Sequence, residues 1–490
     1  MASSWYLSKS KLMSGHQCAK RLWLEVHEPD ELEHSAATER QFAIGHAVGE
    51  VAQSLHQDGI LIEYDDGLEK ALAETERLLS RPGPLTLFEA TFQADGVLIR
   101  ADVLTRDEAG ELRMIEVKAA TSLKEQYSFD CAIQLWVLEQ LGISLRTVGL
   151  AHINNQFVYR GDGAYDGLLT YEDVTKAAHK LQPKVQRLIA EMRATLADSE
   201  PEIAMGRQCT KPYECPFIAY CTGPQSAYPI SSLPGRHAVK QQLVAEGFED
   251  IREIPAGRLE NETQEWVRRV TVAGEPELRP GAAAALESLG WPRYYLDFET
   301  VGFAVPVWKD TRPYQQQPFQ WSCHVESEDG SIEHFEFLGD TNAAPMRDCA
   351  KQLVTALGSE GPVLVYTGYE KGVLNTLIDM YPDLAPALER IIDRLFDLHP
   401  VTRRHYYHPD MRGSWSLKQV LPTIAEDLGY NDLDMVTDGR AAEAAYQDLV
   451  SGDVPATQRD AIRRALLDYC RLDTLALVRL AKRLGGEEHA

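Results

Sequence analysis

The chain has 490 residues, of which 44% are hydrophobic and 25% are charged, and its formal net charge is −25. A chain of this length exceeds what one ordinary core supports, so we expect two or three domains. The negative charge argues against a protein that coats nucleic acid by bulk electrostatics, although carboxylates that hold divalent cations are compatible with it. No apolar run approaches the roughly 18–20 residues that a membrane span requires. We therefore expect a cytoplasmic protein without membrane contact.

The eight cysteines fall into two groups. Four lie singly in apolar or mixed segments and are expected to be small core residues: Cys131, Cys323, Cys349 and Cys470. The others form a trio in CTKPYECPFIAYC with one remote partner near the N-terminus: Cys209, Cys215, Cys221 and Cys18. Such a set can complete a site for zinc or for a cubane iron–sulfur cluster, and four unrelated cysteines are the alternative. Zinc sites more often use two close pairs, so the pattern favours a cluster that joins the two ends of a domain.

Residues 86–120 predict a β-hairpin, with alternating apolar residues, a polar turn at DEAG and the strand RMIEVKAA. Pairing the arms about Ala109 places Asp102 opposite Glu116, and Lys118 shares their face. Facing carboxylates are destabilising unless a divalent cation bridges them, and Lys118 would then position water or stabilise charge at phosphorus. The E-x-K pattern alone is common on exposed strands.

The following helix, YSFDCAIQLWVLEQLG, carries Gln134 and Trp136. The order of first cysteine, early helix, D…E-x-K, glutamine helix and three cysteines resembles the cluster-containing RecB/AddB-like nucleases, which include the CRISPR adaptation exonucleases. The resemblance covers residues 1–225 and implies a PD-(D/E)XK, restriction-endonuclease-like domain that uses Mg²⁺ or Mn²⁺. It implies that the catalytic residues are Asp102, Glu116, Lys118 and Gln134. It also implies a 4Fe–4S cluster on Cys18, Cys209, Cys215 and Cys221.

Two features depart from that group. The last cysteines are spaced C-x5-C-x5-C rather than C-x2-C-x5-C. The early helix has His46 directly after Gly45, whereas the group has its metal-binding histidine four residues after a glycine. His46 and Glu50 lie one helical turn apart, so either could supply the metal ligand, and a surface role for His46 is the alternative. Glu89, on the preceding strand, is a further candidate.

Residues 226–290 change in character to short polar segments, and we expect a helical connector there. Its phrase GFEDIREIP is similar to helix–turn–helix hairpins that contact a DNA backbone. A plain spacer is the favoured interpretation.

A second carboxylate set is predicted in the last third of the chain. The strand in WPRYYLDFETVGF ends with Asp297 and Glu299 on one side. In GPVLVYTGYEKGVLNTLI a buried strand leads into a helix, with Glu370 at the junction. The amphipathic helix ALLDYCRLDTLALVRLAKRL carries Tyr469 and Asp473 on one face, four residues apart. Carboxylates so placed can hold two cations about 3.5–4 Å apart for phosphodiester hydrolysis, with Tyr469 orienting the water.

This pattern resembles the DEDDy exonucleases. Residues 291–484 as a whole resemble an uncharacterised ribonuclease H-like domain found fused to RecB-like nucleases, and we place this domain at 291–486. The resemblance implies catalytic and metal-binding roles for Asp297, Glu299, Glu370, Asp473 and Tyr469. Most DEDD enzymes have Asp where this chain has Glu370. Asp397 is either an additional acid or a cap for the basic loop that follows, and the second Y-x-x-x-D, at Tyr430 and Asp434, is interpreted as chance.

Two basic, aromatic-bearing stretches could line the path of a nucleic-acid strand or could be solvated loops. They are Lys9 to Arg21 and Arg403 to Lys418; in the second we expect contacts from Arg403, Arg404, Arg412 and Lys418. The sequence thus predicts an α/β protein with two Mg²⁺- or Mn²⁺-dependent nuclease sites acting on single-stranded or unwound DNA ends. Its DEDD half would act 3′→5′. One alternative is that this half trims RNA, since spacing reveals nothing about contacts to a 2′-hydroxyl. Another is that one site, the first rather than the second, is inactive and serves nucleic-acid binding in a larger complex.

Overall fold

A computed structural model of the chain describes residues 7–56, 58–425, 427–430, 433, 435–451 and 454–487. It divides into two compact units, each described here by itself. Unit 1 contains the described residues up to Gly223 together with Phe303–Tyr314, and unit 2 contains Pro224–Gly302 and the described residues from Gln315 onwards. Both units combine helices with β-sheets, which confirms the predicted α/β class. No helix in these residues is both long and apolar enough to cross a membrane.

The elements of unit 1 are, in chain order, β1 (Leu7–Ser8), α1 (Lys9–Gln17), α2 (Ala19–His27), α3 (Ala36–Ser54), β2 (Ile60–Leu61), α4 (Leu68–Leu79), β3 (Leu85–Ala94), β4 (Val97–Arg106), β5 (Leu112–Lys118), α5 (Glu125–Gln140), β6 (Leu145–Ile153), β7 (Leu169–Asp173), α6 (Thr175–Ala197) and α7 (Ile218–Thr222).

Across the described residues, the sheet of unit 1 has the order β2-β3-β4-β5-β6-β7, and β1 also pairs with β4. A two-residue turn joins β3 to β4, and positive φ angles at Asp95 (+44°) and Gly96 (+66°) give it the twist that tight hairpins favour. β4 and β5 are antiparallel with Val103 opposite Ile115, which is the register predicted from the sequence. β5 and β6 are parallel, so their connection must cross over, and α5 makes that crossing. Nearly all of α5 from Phe129 to Leu138 is buried.

The elements of unit 2 are α8 (His237–Ala245), α9 (Glu262–Ala273), β8 (Glu277–Leu278), α10 (Ala282–Glu287), β9 (Arg293–Val301), β10 (Gln317–Glu326), β11 (Ile332–Leu338), α11 (Met346–Leu357), β12 (Val363–Val365), α12 (Tyr369–Met380), α13 (Ala385–Ile392), β13 (Leu395–Asp397), α14 (Leu398–His405), β14 (Tyr406–Tyr407), α15 (Leu417–Val420), α16 (Gly439–Ser451) and α17 (Ala456–Gly485).

The main sheet of unit 2, within the described residues, has the order β11-β10-β9-β12-β13. β9 is central: β10 runs antiparallel on one side, and β12 runs parallel to it on the other. The long helix α17 packs over β9 and β10. Tyr295 of β9, Leu364 of β12 and Leu477 of α17 belong to one apolar core cluster. Residues 226–290, which were predicted to be a helical connector, fall within unit 2 and contribute Trp266 to the same cluster.

Candidate functional sites

Three carboxylates meet in unit 2. Asp297 and Glu299 project from one side of β9 because their positions differ by two residues. Asp473 comes from α17, and a carboxylate oxygen from each of the three lies within 4.8 Å of the others. Among the described residues, no other three His, Cys, Asp or Glu side chains come together in this way.

The order of the strands explains why this place suits a ligand. The chain leaves β9 toward β10 on one side of the sheet and later adds β12 on the other side. The carboxyl ends of the parallel strands β9 and β12 therefore flank a topological switch point, where open α/β sheets commonly bind ligands. Asp297 lies at the middle of β9 and Glu299 two residues nearer that end, both beyond the positions at which β12 pairs with β9.

Glu370 lies in the first turn of α12, only 2% exposed, and its Oε2 has no hydrogen-bond partner among the described residues. The elbow before it is strained, since Thr367 is a β-branched residue with φ of +83°. The N–H of Thr367 donates to Asp397 Oδ1 at 2.8 Å, and the N–H of His399 donates to the same oxygen at 2.9 Å. Asp397 thus caps α14 and holds the elbow, whereas Glu370 accepts backbone hydrogen bonds and has an Oε2 without a partner in the described residues.

Burial opposes the ionisation of all four acids of unit 2, and neighbouring acids further oppose that of Asp297 and Glu299. Burial, and then the charges of Asp473, Glu299 and Glu370, raise the pKa of Asp297 well above its usual range. Burial and the charge of Asp473 do the same to the pKa of Glu299. Burial raises the pKa of Asp473 to about 6 and that of Glu370 to about 8. A bound cation would relieve this repulsion.

Two tyrosines and a lysine complete the site. The hydroxyl of Tyr430 donates a hydrogen bond to Asp473 Oδ1, a contact that the Y-x-x-x-D repeat at Tyr430 and Asp434 did not predict. Hydrogen bonds from Tyr430 and Tyr469 both lower the pKa of Asp473, against the larger effect of burial. Lys418 Nζ lies 5.5 Å from the ring centre of Tyr430 and 5.6 Å from that of Tyr469. Asp434, the other half of that repeat, lies outside the described residues.

The start of α16 faces Glu299. A Cβ atom built on Gly439 would lie 3.6 Å from Glu299 Oε2, so the first turn of the helix approaches this carboxylate closely. Asp438 caps the helix by accepting a hydrogen bond from the N–H of Ala441 at 2.8 Å. The charges of Asp438 and Glu443 at this end of α16 add to the burial that raises the pKa of Glu299.

The four basic residues predicted to bind nucleic acid have different surroundings in the structure. Arg403 lines a groove with Tyr366, His399 and the ring of Trp415. The Arg403 guanidinium carbon lies 5.9 Å from the centre of that ring. Lys418 stands over the two tyrosines described above, and its Nζ donates to Thr437 O at 2.7 Å. The other two residues are exposed and do not line the groove in the described structure: Arg404 and Arg412.

The predicted acids of unit 1 also come together. Val103 is paired with Ile115 in the antiparallel register, so Asp102, one residue before, faces Glu116, one residue after. The N–H of Val117 donates to Asp102 Oδ2 at 2.6 Å. Lys118 Nζ forms an ion pair with Glu116 Oε1. Gln134 Nε2 donates to Glu116 Oε2, so Glu116, Lys118 and Gln134 share one contact network, which Asp102 faces across the hairpin.

Sequence reasoning missed two members of this network. Asp130 lies one helical turn before Gln134 on α5. Its Oδ2 forms an ion pair with Lys118 Nζ at 2.6 Å. Lys9, the first residue of α1, lies 2.7 Å from Glu116 Oε1 and 3.2 Å from Asp130 Oδ1. The D-x-x-x-Q spacing on α5 was a usable signal for Asp130 because it places both side chains on one helix face. No spacing in the sequence connects Lys9 to Glu116.

The basic stretch Lys9 to Arg21 was a candidate path for a nucleic-acid strand. In the structure its charges face inward: Lys9 contacts the carboxylates, Lys20 pairs with Glu200 at 2.6 Å, and Arg21 pairs with Glu25 at 2.9 Å. These paired charges do not support that interpretation.

The electrostatics of this network separate its two facing acids. Burial, and then the charge of Glu116, raise the pKa of Asp102 to about 7. Burial also opposes the ionisation of Glu116, but Lys118 and Lys9 outweigh it and hold the pKa of Glu116 well below its usual range. Glu116 is therefore ionised at neutral pH, whereas Asp102 titrates there.

The early-helix candidates do not join this network. The side chain of His46 is 80% exposed and forms an ion pair with Glu50 at 3.3 Å. In the described structure no hydrogen bond or ion pair joins either residue to Asp102 or Glu116. Glu89 pairs instead with Arg100 at 3.3 Å.

The cysteine set of unit 1 lines one hollow. Cys18 lies at the junction of α1 and α2, and the others lie in the segment that ends with α7: Cys209, Cys215 and Cys221. All four thiols are free and partly buried. Burial, and then the charges of Cys18 and Cys209, raise the pKa of Cys215, which shows how near the thiols are to one another. The four cysteines predicted to be core residues are fully buried, which confirms that prediction: Cys131, Cys323, Cys349 and Cys470.

Comparisons with known proteins add little. A family model described as a domain of unknown function (DUF2779) matches residues 294–416, a region that includes Asp297, Glu299 and Glu370 but not Asp473. No curated protein matches the chain. A solved structure titled "Crystal structure of SSO0001" aligns with 45% of this chain and 86% of its own, at 14% identity and a TM-score of 0.23. That TM-score is too low to indicate a shared fold.

Proposed function

We propose that the chain is a metal-dependent nuclease with one phosphodiester-cleaving site in each unit. The observation that carries the proposal is the approach of Asp297, Glu299 and Asp473 to within 4.8 Å at a topological switch point. Buried carboxylates that raise one another's pKa are costly to a fold, and such sites are commonly functional. The strand order of unit 2 agrees with the ribonuclease H-like interpretation of this region.

The acids of unit 2 suit a hard divalent cation such as Mg²⁺ or Mn²⁺. Carboxylate oxygens are the ligands that these ions prefer, and the unpartnered Oε2 of Glu370 adds an oxygen beside the trio. A cation held there would act as a Lewis acid toward a phosphodiester. Asp297, Glu299 and Asp473 would hold it, with Glu370 in support.

Other residues of unit 2 would bind and orient the substrate. The ammonium group of Lys418, above the rings of Tyr430 and Tyr469, presents positive charge beside the acids. The groove with Arg403, His399 and Trp415 combines a cation with aromatic surface, which suits the phosphates and bases of an unpaired strand. We therefore propose that the substrates are single-stranded or unwound DNA ends and that cleavage starts from the 3′ end. Faster cleavage of RNA than of DNA would overturn this preference.

In unit 1 we propose a PD-(D/E)XK site in which Asp102 and Glu116 bind the cation and Lys118 stabilises the developing charge. Gln134 would orient Glu116 through its hydrogen bond to Oε2. The support is that one hairpin places Asp102 opposite Glu116, and that Lys118 and Gln134 both contact Glu116.

For the cysteines we propose a 4Fe–4S cluster rather than zinc. Tetrahedral zinc with bonds of about 2.3 Å would bring its sulfurs to within about 3.8 Å of one another. In the described structure no three of these thiols lie within 4.8 Å of one another, although all four line one hollow. This wider spacing suits a larger group. A brown protein that absorbs near about 400 nm supports the cluster, and a colourless protein with stoichiometric zinc refutes it.

A nuclease panel tests the function. End-labelled single-stranded DNA, double-stranded DNA and RNA are incubated with Mg²⁺ and the wild type, Asp297→Ala or Lys118→Ala. The matched controls change exposed residues of the same units, Asp379→Ala and Lys70→Ala. We expect each site variant to lose a separate activity and each control to keep both. Full activity of both site variants on every substrate would refute the proposal.

A further inference from the structure

Lys9 stands inside the carboxylate network of unit 1. It is the first residue of α1, and the preceding strand β1 pairs with β4, the strand that carries Asp102. Ser8 caps α1 by accepting a hydrogen bond from the N–H of Lys11, so the start of the helix is held in place. The sheet therefore fixes the backbone from which the Lys9 side chain reaches Glu116 and Asp130.

The oxygens of Glu116 are largely occupied. Both Lys9 and Lys118 donate to Oε1, and Gln134 donates to Oε2. A carboxylate oxygen accepts about two hydrogen bonds, so Oε1 has no lone pair left for a cation. A divalent ion can bind Glu116 through Oε1 only if one ammonium group moves away.

Charge leads to the same conclusion. The network contains the carboxyl groups of Asp102, Glu116 and Asp130 and the ammonium groups of Lys9 and Lys118. With both lysines present, little negative charge remains to attract a divalent cation. Burial opposes the charged form of Lys9, yet Asp130 and Glu116 outweigh it and raise the pKa of Lys9, so the group stays cationic.

The two lysines differ in how they are tethered. Lys118 is two residues from Glu116 on the same strand and also pairs with Asp130 at 2.6 Å. Lys9 arrives from a helix 107 residues away in sequence, and its side chain is about as exposed as that of Lys118, at 18% against 21%. A flexible lysine side chain with access to solvent can swing out without disturbing the hairpin.

We propose that Lys9 is an exchangeable cation, which neutralises Glu116 and Asp130 in the metal-free protein and leaves as a divalent cation binds. This inference rests on the proposed function, since that function makes this network a metal site. It assigns Lys9 a positioning role: the residue keeps the carboxyl groups of Glu116 and Asp130 together without metal and sets the affinity with which metal replaces it.

Metal affinity gives the first test. Binding of Mn²⁺ is measured by electron paramagnetic resonance of the free ion, in an Asp297→Ala background that weakens binding in unit 2. Lys9→Met should bind Mn²⁺ about tenfold more tightly than its parent because the competing ammonium is gone. Lys20→Met is the matched control, since its side chain is also 18% exposed and also pairs with a glutamate. Unchanged or weaker binding in Lys9→Met would overturn the proposal.

Amine labelling of the unmutated protein gives the second test, which does not depend on whether a variant folds. The rate of acetylation at Lys9 is read by peptide mass spectrometry with and without Mn²⁺. We expect the Lys9 rate to rise at least about fivefold with Mn²⁺, while the Lys20 rate stays constant. A Lys9 rate that is unchanged or falls refutes the exchange. Full nuclease activity of Lys118→Ala would instead refute the nuclease role of unit 1. The labelling result would still show whether a divalent cation displaces Lys9.

Discussion

Lys9 and Cys18 stand at the two ends of one helix. α1 spans nine residues, begins at Lys9 and has Cys18 as its C-cap. At about 1.5 Å per residue the helix separates them by about 13 Å. Gln17, its last residue, donates to the carbonyl oxygens of Gln208 at 2.6 Å and Tyr213 at 2.7 Å, on either side of Cys209. The cysteine hollow and the carboxylate network of unit 1 are thus linked by a single short helix.

This link predicts that damage to the cysteine set reaches Lys9. Cys18→Ser should abolish the absorbance near about 400 nm and lower the free energy of unfolding of unit 1 by at least about 3 kcal/mol, because a group that holds two chain segments contributes to folding. Acetylation of Lys9 should rise in the same variant. Denaturant unfolding and labelling provide the measurements.

Cys349→Ala is the control for this prediction. Cys349 is a buried core cysteine of unit 2, so its loss should leave both the absorbance and the labelling of Lys9 unchanged. A Cys18→Ser protein that keeps its colour and its Lys9 protection would contradict the link.

Tyr430→Phe should impair unit 2 without unfolding it. The change removes the hydroxyl that donates to Asp473 and keeps the ring beneath Lys418. Because the hydrogen bond from Tyr430 lowers the pKa of Asp473, the variant should shift the acidic limb of the pH–activity profile upward. We expect about tenfold lower activity at pH 7 on 3′-ended single-stranded DNA.

The matched control is Tyr228→Phe, which removes another tyrosine–carboxylate hydrogen bond of unit 2, the 3.4 Å contact with Asp410. Its pH profile should match that of the wild type. If Tyr430→Phe and Tyr228→Phe behave alike, Tyr430 has only a structural role.

The residues that sequence reasoning found share one property. Asp297 with Glu299, and Tyr469 with Asp473, are each placed on one face by the period of their own strand or helix. Likewise, a period of two and a polar turn were enough to predict the register of β4 and β5. Local periodicity thus carries the information for any pair within one element.

The residues that were missed or misjudged need information from a second element. Tyr430 reaches Asp473 from a loop, and Lys9 reaches Glu116 from a helix far away in sequence. No period relates such positions, because tertiary packing alone decides their distance. For His46 the spacing correctly paired it with Glu50 but could not show that this helix face is open to solvent.

Asp297→Asn should stabilise the metal-free protein while removing its response to metal. Burial, and then repulsion from Asp473, Glu299 and Glu370, raise the pKa of Asp297 well above its usual range, and burial raises the pKa of Asp473 to about 6 and that of Glu370 to about 8. Such groups hold protons in the folded state that the unfolded chain has already released, so the free energy of unfolding falls as pH rises from about 4 to about 8. Removing one charge from the trio weakens this repulsion.

We therefore expect Asp297→Asn to raise the free energy of unfolding by about 1 kcal/mol at pH 8 without metal, and less at pH 5. The wild type should gain thermal stability with Mg²⁺, and the variant should gain little. Scanning fluorimetry with and without Mg²⁺ measures both effects. Asp379→Asn, an exposed change on α12, should alter neither. A variant that is less stable than the wild type at pH 8 would contradict the repulsion described for the trio.

Two neighbouring histidines, His324 and His334, whose ring planes are tilted by 38°, should make unit 2 sensitive to acid. His324 Nδ1 lies 2.8 Å from Thr474 Oγ1, His334 Nε2 lies 2.8 Å from Ser322 Oγ, and the ring centres are 4.5 Å apart. Burial, and then the charge of His334, lower the pKa of His324 from 6.5 to about 3. Burial and the charge of Arg471 lower the pKa of His334 to about 4.

Between about pH 4 and pH 6.5 the unfolded chain binds protons at these histidines that the folded chain does not bind. Their contribution to the free energy of unfolding therefore falls as pH falls through that window.

Replacing His334 by Gln removes the part of this pH dependence that is due to His334. Between pH 7 and pH 4.5 the wild type should therefore lose about 2 kcal/mol more of its free energy of unfolding than His334→Gln. Urea unfolding of both proteins at the two pH values gives this difference. The acid trio has the opposite pH dependence, but it is present in both proteins and therefore cancels. His237→Gln, at an exposed position of unit 2, should lose as much as the wild type. Equal acid sensitivity of His334→Gln and the wild type would mean that His334 is not held neutral in the fold.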